Sequence, residues 1–251
     1  IRRPLLALIP AAVAGLLFSY GAYSLEARIS EIEPGTERGE AEIRRSARLV
    51  PADGTLYLKS ALHALDAEDP ESATRRADYA LEREPRANVA ALRAHVYAAA
   101  DRTEEAVEAY RRVYGRGYTA VPREWTKKYL LRDLQSPEQL AAVWTVPRPS
   151  HWRVVARTLS EIRTPAVTAE FLLELIERFP ERATPYELLV DAYLEMERPF
   201  LAELWARRLI ERQLEDRHGN KPAGYIQLAR ALKRQGRRNE ARTTALRGLA
   251  A

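Results

Sequence analysis

The residue types that most often carry out chemistry are sparse in this chain and are not spaced for it. The four histidines lie at positions 63, 95, 151 and 218. No two of them are three or four residues apart, the spacing that places two metal ligands on one face of a helix. The chain has no cysteine, which excludes disulfides, thiolate zinc ligands and thiol nucleophiles. These residues therefore argue against a metal site and exclude a cysteine nucleophile.

Sequence motifs for nucleotide binding and acyl transfer are also missing. The chain contains no GxxxxGK[ST], no GxGxxG and no nucleophile elbow. The carboxylates of "DRTEE" and "LEDR" stand in charged runs that are typical of solvated helix faces. We expect His63 and His95 to be ordinary polar residues on helix faces. The sequence therefore predicts a protein that is not an enzyme and that uses no cofactor and no metal.

Composition indicates a helical protein with a core and a mixed-charge surface. The 251 residues are 46% hydrophobic, enough for one extended domain or two compact ones. The formal net charge is +5, and only five of the 40 basic residues are lysines. The arginines alternate with 35 acidic residues along the chain, a pattern typical of helix faces with i,i+4 ion pairs. We predict no nucleic-acid partner from this pattern.

The first 25 residues have the composition of a membrane-spanning helix. No charge occurs from Pro4 to Leu25, and a helix of this length spans about 33 Å, close to the apolar thickness of a bilayer. Arginines precede the segment, and aromatic residues stand toward its other end: Phe18, Tyr20 and Tyr23. A cleavable signal peptide is the alternative, since Ala22-Tyr23-Ser24 resembles a cleavage site. We favour a single membrane anchor over residues 1–25.

Charge and small residues in this segment predict its orientation and its packing. The positive-inside rule places Arg2 and Arg3 in the cytoplasm and the rest of the chain across the membrane. Ala11, Gly15 and Ser19 are spaced four residues apart, as in helices that pack closely in membranes. The alternative is that small residues are simply common in such helices. We expect a single-pass protein of the inner (cytoplasmic) membrane that faces the periplasm.

A repeat of about 34 residues organises the remainder of the chain. Pro51 and Pro85 are 34 residues apart. With Gly54 as position 1, characteristic residues fall at positions 4, 8, 20, 24, 27 and 32: Tyr57, Ala61, Ala73, Ala77, Ala80 and Pro85. Units that begin at residues 87, 149, 183 and 222 keep most of this pattern. Val190 at position 8 and Thr168 at position 20 depart from it.

This pattern resembles the tetratricopeptide repeat family. The resemblance covers about residues 36–251 and implies an all-α fold of helix–turn–helix units. In that family each unit is an antiparallel hairpin, small residues lie where helix backbones approach, and neighbouring units bury each other's apolar faces. We therefore predict an N-terminal transmembrane helix followed by a tetratricopeptide-like α-solenoid.

The repeat pattern divides the chain into six segments. The membrane anchor covers 1–25, a helical linker with half a repeat covers 26–53, and two repeats cover 54–120. A degenerate short hairpin covers 121–148, in which Ser136 should cap a helix that has Pro137 in its first turn. Two further repeats cover 149–216, and 217–251 contains a loop, the final repeat and a capping helix.

The resemblance also implies a ligand groove. In this family ligands lie against positions 2, 5, 9, 12 and 13 of the first helix in each unit. These positions predict an apolar band followed by basic, acidic and basic bands: Leu58, Leu62, Leu65, His95; Arg153, Arg157; Glu187, Asp191, Glu195; Arg230, Lys233, Arg234. Such bands suit a peptide or protein segment. The alternative is that these are ordinary solvated side chains.

The last helix carries a separate excess of positive charge. Seven basic residues face only Glu240 in the C-terminal region: Arg230, Lys233, Arg234, Arg237, Arg238, Arg242 and Arg247. Such a cluster could meet anionic lipid, acidic glycan or a negatively charged partner. The alternative is a capping helix that its charge keeps soluble.

The function expected from these features is protein binding at a membrane. The chain resembles membrane-anchored periplasmic repeat proteins of Gram-negative bacteria. This implies a non-catalytic scaffold or assembly subunit that binds other membrane-complex subunits. The alternative is a transient peptide-binding chaperone or biogenesis factor whose clients, apocytochrome- or export-type polypeptides, occupy the groove. An enzyme would need an active site near Trp125.

Overall fold

The computed structural model describes residues 41, 45, 54–115, 126–215 and 221–250. This described part is helical and contains no strand, which confirms the all-α prediction for it. Packing divides the chain into two compact units, one up to Arg102 and one from Thr103. The expected anchor at residues 1–25, with Ala11, Gly15 and Ser19, lies outside the described residues, as does Trp125. Among the helices that are described, none is both long and apolar enough to cross a membrane.

In the first unit, the described residues from 54 to 102 form three helices: α1 (Gly54–Asp66), α2 (Pro70–Arg83) and α3 (Ala87–Ala99). Helix α2 begins where the Asp69 carboxylate accepts a hydrogen bond from the Ser72 amide at 3.0 Å, with Pro70 in the first turn. The stripe of Ala73, Ala77 and Ala80 is fully buried against α1 and α3. Alanine at these positions allows the helix backbones to approach closely.

The second unit begins with short and irregular helices and continues with three regular hairpins. Its helices are α4 (Thr103–Gly115), a π-helical segment (Thr126–Leu130), α5 (Leu131–Asp133), α6 (Pro137–Ala142), α7 (Pro149–Ile162), α8 (Pro165–Arg178), α9 (Ala183–Glu195), α10 (Pro199–Glu215), α11 (Lys221–Arg234) and α12 (Arg238–Ala250). Consecutive helices from α7 to α12 pack against each other, and α7 contacts α9 as α9 contacts α11. The first helices of the three hairpins therefore lie side by side.

The irregular region buries a tryptophan, Trp144, among aromatic side chains of neighbouring helices. Ser136 Oγ accepts a hydrogen bond from the Gln139 amide at 3.4 Å, which confirms the predicted cap of α6. Helix α6 packs against α4 and α8. Trp144 lies 5.8 Å from the ring of Tyr114 and 5.9 Å from that of Phe171. These aromatic contacts take the place of the small residues that pack the regular hairpins.

Small or short side chains fill the positions between the helices, as the repeat pattern predicts. The residues at position 20 are all buried: Ala73, Ala106, Thr168, Ala202 and Ala241. Val190, a departure at position 8, is also fully buried. The departures in residue type therefore keep the burial that the position requires.

The turn inside each hairpin repeats a backbone conformation that the sequence does not reveal. A left-handed residue occupies position 15 in four units: Glu68, Asp101, Glu197 and Gly236, with φ from 55° to 81°. In each, the next amide donates to a carbonyl five residues earlier, for example Arg198 to Tyr193 and Arg237 to Leu232. This is the Schellman arrangement that ends a helix. The turn between α7 and α8 differs, since Arg163 has φ −121°.

Candidate functional site

The side-by-side first helices of the second unit form a cleft, called here the first-helix cleft. Its volume is about 550 Å³ and it is lined by α7, α9 and α11. The three helices run in the same direction, because Arg153 and Ser160 of α7 contact Glu187 and Glu195 of α9 in the same order. Gln227 and Arg230 of α11 likewise contact Glu187 and Asp191 in the same order. Equivalent residues of successive hairpins therefore stand next to one another across the cleft.

The lining combines an apolar floor with opposite charges. Ala156, Leu188 and Ala192 line the floor. Three cations and three anions also line the cleft: Arg157, Arg230, Arg234, Glu161, Asp191 and Glu195. The cations come mainly from the two outer helices, whereas two of the three anions come from α9. Among the charged lining residues, α9 supplies only anions and α11 only cations, whereas α7 supplies both Arg157 and Glu161.

Some of these charges are paired across helices, and others are not. Arg230 Nη1 donates to Asp191 Oδ1 at 2.5 Å, and Gln227 Nε2 donates to the same oxygen at 3.3 Å. Ser160 Oγ donates to Glu195 Oε2 at 2.7 Å. Within the described part of the chain, Arg234 forms no ion pair. The cleft therefore offers one cation for a ligand carboxylate without breaking an existing contact.

The remaining ion pairs at this face are long and exposed. Arg153 Nη2 lies 3.4 Å from Glu187 Oε2, and Arg157 Nε lies 3.4 Å from Glu161 Oε1. More than half of each arginine side chain is exposed to solvent. Exposed pairs of this kind contribute little to stability, on the order of 0–1 kcal/mol. A ligand can therefore replace them at small cost.

The structure brings together five of the residues predicted for the groove. Arg157, Asp191, Glu195, Arg230 and Arg234 line the first-helix cleft. Arg153 and Glu187 pair with each other on the same helices, whereas Lys233 lies on a different surface, between α11 and α12. The separation follows from helix geometry, because Lys233 is rotated by about 100° from its neighbour Arg234.

The predicted apolar band lies in the first unit and is largely packed. Leu58 is only 2% exposed and belongs to the core with Ala61 and Ala77, so it does not line an open groove. Leu62 and Leu65 are half-buried and pack against the same core. His95 is half-buried on α3. Leu58 is thus corrected from a groove residue to a core residue, because α2 and α3 cover its side of α1.

Several residues of the cleft lining were not predicted, among them Ser160 and Leu188, and neither was Gln227, which contacts the cleft residue Asp191. Ser160 stands at position 12 of its unit, so the repeat pattern could have identified it. Leu188 and Gln227 stand at position 6, which the family pattern does not assign to the groove. Their roles depend on how far each helix is rotated about its axis, and the sequence does not specify this rotation.

The charges and the apolar floor of the cleft are suited to binding another molecule. Within the ranges that the structure describes, no three carboxylates or histidines are grouped so that they could hold a metal ion. The charged groups of the cleft alternate in sign over an apolar floor. Such a surface recognises the pattern of charges along another polypeptide.

Comparisons with known proteins assign no family to the chain. No protein-family model matches the sequence, and no curated protein matches it. Solved structures with a related arrangement include BtubC from P. vanneervenii, at 18% identity over 90% of each chain and a TM-score of 0.41. The MamA protein matches at 14% identity, over 78% of this chain and 90% of its own, with a TM-score of 0.39. YrrB, a TPR protein with an unusual peptide-binding site, matches at 11% identity, over 83% and 91%, with a TM-score of 0.38. Values at this level identify neither a family nor a partner.

Proposed function

We propose that the chain is a non-catalytic, tetratricopeptide-like protein that binds a polypeptide segment in the first-helix cleft. The observation that carries this proposal is the banded charge of the cleft over its apolar floor. Asp191 and Glu195 stand on the central helix, between the cations of α7 and α11. A matching segment carries a basic residue at its centre and acidic residues on both sides.

The stability of the cleft without a ligand supports this function. The Arg230–Asp191 pair and the Ser160–Glu195 hydrogen bond hold α7, α9 and α11 in register. The cleft is therefore largely preformed, and a ligand does not have to order it first. The long Arg153–Glu187 pair and the unpaired Arg234 leave groups ready for new contacts.

We propose further that this binding serves a scaffold of a membrane complex. This step rests on the apolar segment Pro4–Leu25 and on its small residues Ala11, Gly15 and Ser19. In this function the anchor packs against a partner helix in the membrane while the cleft holds a partner segment in the periplasm. Such a partner remains bound at a fixed ratio.

A transient chaperone is the second candidate function. The exposed, weakly paired arginines favour it, because they allow rapid exchange of different clients. A chaperone binds many clients at low occupancy, and its anchor serves only to keep it at the membrane. The two functions therefore differ in the number of partners and in the effect of anchor mutations.

Quantitative mass spectrometry of material purified from membranes in mild detergent tests these functions. The cleft variant is Asp191→Lys with Glu195→Lys, and the control is Glu170→Lys with Glu177→Lys on the exposed surface of α8. Both doubles change the net charge equally. Polypeptide binding in the cleft predicts that partners are lost only in the cleft variant, and partners that survive both doubles would refute it.

The anchor variant Gly15→Leu distinguishes the two functions in the same experiment. A scaffold predicts one set of proteins at fixed ratio that decreases in Gly15→Leu. A chaperone predicts a broad, substoichiometric set that this substitution leaves unchanged.

A further inference from the structure

A second concave surface lies at the last hairpin, between α11 and α12, and is called here the end groove. Its volume is about 460 Å³. Ile226, Ala229 and Ala245 form its apolar part, and Lys233, Arg238 and Arg242 form its basic part. This groove is separate from the first-helix cleft, although Arg230 borders both.

On the preceding hairpin, of α9 and α10, the face equivalent to the end groove is covered by α11. Residues of α11 and α12 correspond to residues of α9 and α10 that are 39 positions earlier in the chain. Val190, Ala202 and Ala206 are fully buried in a core that includes Leu228 and Leu232 of α11. Their counterpart Ala245 is exposed, and Ala229 is only half-buried. The end groove is therefore a helix-binding face on which no described helix lies.

The charges at equivalent positions have opposite signs on the two hairpins. Asp191 and Glu203 border the face of α9 and α10 that α11 covers. Arg230 of α11 lies 2.5 Å from Asp191, and Arg237 in the turn after α11 lies 2.8 Å from Glu203. On the end groove these two acidic positions are occupied by Arg230 and Arg242. The acidic face of α9 and α10 binds a helix with basic residues. The basic end groove is therefore complementary to a helix with acidic residues.

The end groove is also divided along its length. Helices α11 and α12 are antiparallel, since a Cβ on Gly248 would lie 2.7 Å from Tyr225 Cβ. Ile226, which is 54% exposed, therefore lies beside the end of α12, where Leu249 is 86% exposed. Lys233 lies near Arg238 and Arg242 at the other end. One end of the groove is apolar and the other is basic.

The positive charges at the basic end are not neutralised by described acidic side chains. In the part of the chain that the structure describes, Lys233, Arg238 and Arg242 form no ion pair. All three are exposed. Three like charges at one end of a small groove repel one another, and an acidic partner relieves that repulsion.

We propose that the end groove binds an amphipathic α-helix of a partner protein, with an Ala/Leu-rich first half and an acidic second half. The alanines of the floor allow the backbone of such a helix to approach, as α11 approaches Ala202 and Ala206. The helix runs parallel to α11, as α11 runs parallel to α9. Its negative C-terminal dipole then also lies at the basic end.

A second copy of this chain is a poor occupant. A helix like α11 would bring its Arg230 and the neighbouring Arg237 against Arg230 and Arg242 of the end groove. Like charges placed opposite each other at an interface are unfavourable.

Fluorescence anisotropy with a defined probe and the full chain in detergent tests this proposal. The probe is an 18-residue helical peptide with an Ala/Leu stripe and four glutamates in its C-terminal half. The double variant Arg238→Glu with Arg242→Glu reverses the basic end, and Arg178→Glu with Arg247→Glu, at exposed positions outside both grooves, is the control with the same net charge. We expect saturable binding that weakens at least about tenfold in the first double and less than about twofold in the control.

Ala245→Glu supplies a second variant that places a carboxylate on the floor, and it should weaken probe binding as well. Equal weakening by both doubles would show attraction to net charge only and would overturn the proposal. Equal binding of a peptide with lysines in place of the glutamates would overturn it too. The proposal would also be overturned if Arg238→Glu with Arg242→Glu left probe binding unchanged but abolished self-association of the chain. The same holds if it left probe binding unchanged but abolished binding to vesicles of anionic lipid. The control double leaves the first-helix cleft unaltered, so a change in probe binding that only Arg238→Glu with Arg242→Glu produces belongs to the end groove.

Discussion

The hairpin of α9 and α10 and the hairpin of α11 and α12 share one backbone plan but differ in what lies on them. The first is covered by α11, whereas no described helix covers the second. Both present small residues where a helix backbone can approach. They differ in charge, because Asp191 and Glu203 on the first become Arg230 and Arg242 on the second. Small residues therefore determine that a helix can pack, and charge determines which helix does.

Glu203 shows how the covered face selects its helix. Its carboxylate accepts hydrogen bonds from Gln235 and Arg237, each at 2.8 Å, and from Arg207 of its own helix. Burial tends to raise the pKa of Glu203, but the hydrogen bonds from Arg207 and Gln235 and the charges of Arg207 and Arg237 lower it overall. The turn after α11 is thus fixed by one acidic residue of α10.

The largest effect is expected where the two faces differ most in burial. Ala206 is fully buried and its counterpart Ala245 is exposed. Ala206→Leu should lower the free energy of unfolding by about 2–3 kcal/mol, because the core leaves no space for the added atoms. Ala245→Leu should change it by less than about 0.5 kcal/mol. Urea unfolding followed by circular dichroism measures both, and equal effects would show that the two faces are equally packed.

A smaller effect is expected from the charges. Glu203→Gln removes charge-assisted hydrogen bonds to Arg237 and Gln235 and should cost about 1–2 kcal/mol. Arg242→Gln, at the equivalent position of the open face, should be neutral within about 0.5 kcal/mol. Thermal unfolding of the two variants beside the wild-type chain checks this. A stronger effect of Arg242→Gln would contradict the assignment of that residue to an unoccupied face.

The contribution of Glu203 should also depend on pH in a defined direction. Because its pKa is lowered in the folded state, its stabilising contribution is present above the unfolded-state pKa, about 4.3. It is lost as pH falls through the folded-state value. The difference in free energy of unfolding between the wild-type chain and Glu203→Gln should therefore be constant near neutral pH and shrink below about pH 4. A difference that grows on acidification would disprove this pairing.

The smallest effects are expected in the turns that join the helices of the two hairpins. Gly236 has φ 81° and Glu197, at the same position of the preceding hairpin, has φ 55°. Gly236→Ala should cost about 1 kcal/mol, because a side chain is strained in this conformation. Glu197→Gly should relieve a similar strain and leave stability unchanged or raised by up to about 1 kcal/mol. Chemical denaturation of both variants would reveal opposite signs if the turns are equivalent.

The sequence allowed prediction of the features that depend on local spacing. Small residues 33 to 39 positions apart identified the helix contacts, and Ala73, Ala77 and Ala202 are indeed buried. The cap at Ser136 was also readable, because it requires only one side chain and one nearby amide. The order of charge bands followed once the first helices were placed side by side.

Other features depended on packing that the sequence does not specify. Leu58 was expected in a groove, but burial by α2 and α3 draws it into the core. Lys233 was grouped with Arg230 and Arg234, although helix rotation places it in the end groove. The left-handed Glu68, Asp101 and Glu197 carried no signal, since glutamate and aspartate are common in every kind of turn. The end groove required knowledge of which face lacked a helix.

The central claim is that a polypeptide occupies the first-helix cleft, and site-specific photo-crosslinking tests it most directly. A photoreactive amino acid replaces Arg157, which lines the cleft, or Arg178, which is exposed on α8. Ultraviolet light is then applied to cells, and crosslinked products of the tagged chain are analysed by mass spectrometry. The proposal predicts a defined polypeptide joined at position 157 and not at position 178. Equal crosslinking at the two positions, or none at position 157, would contradict it.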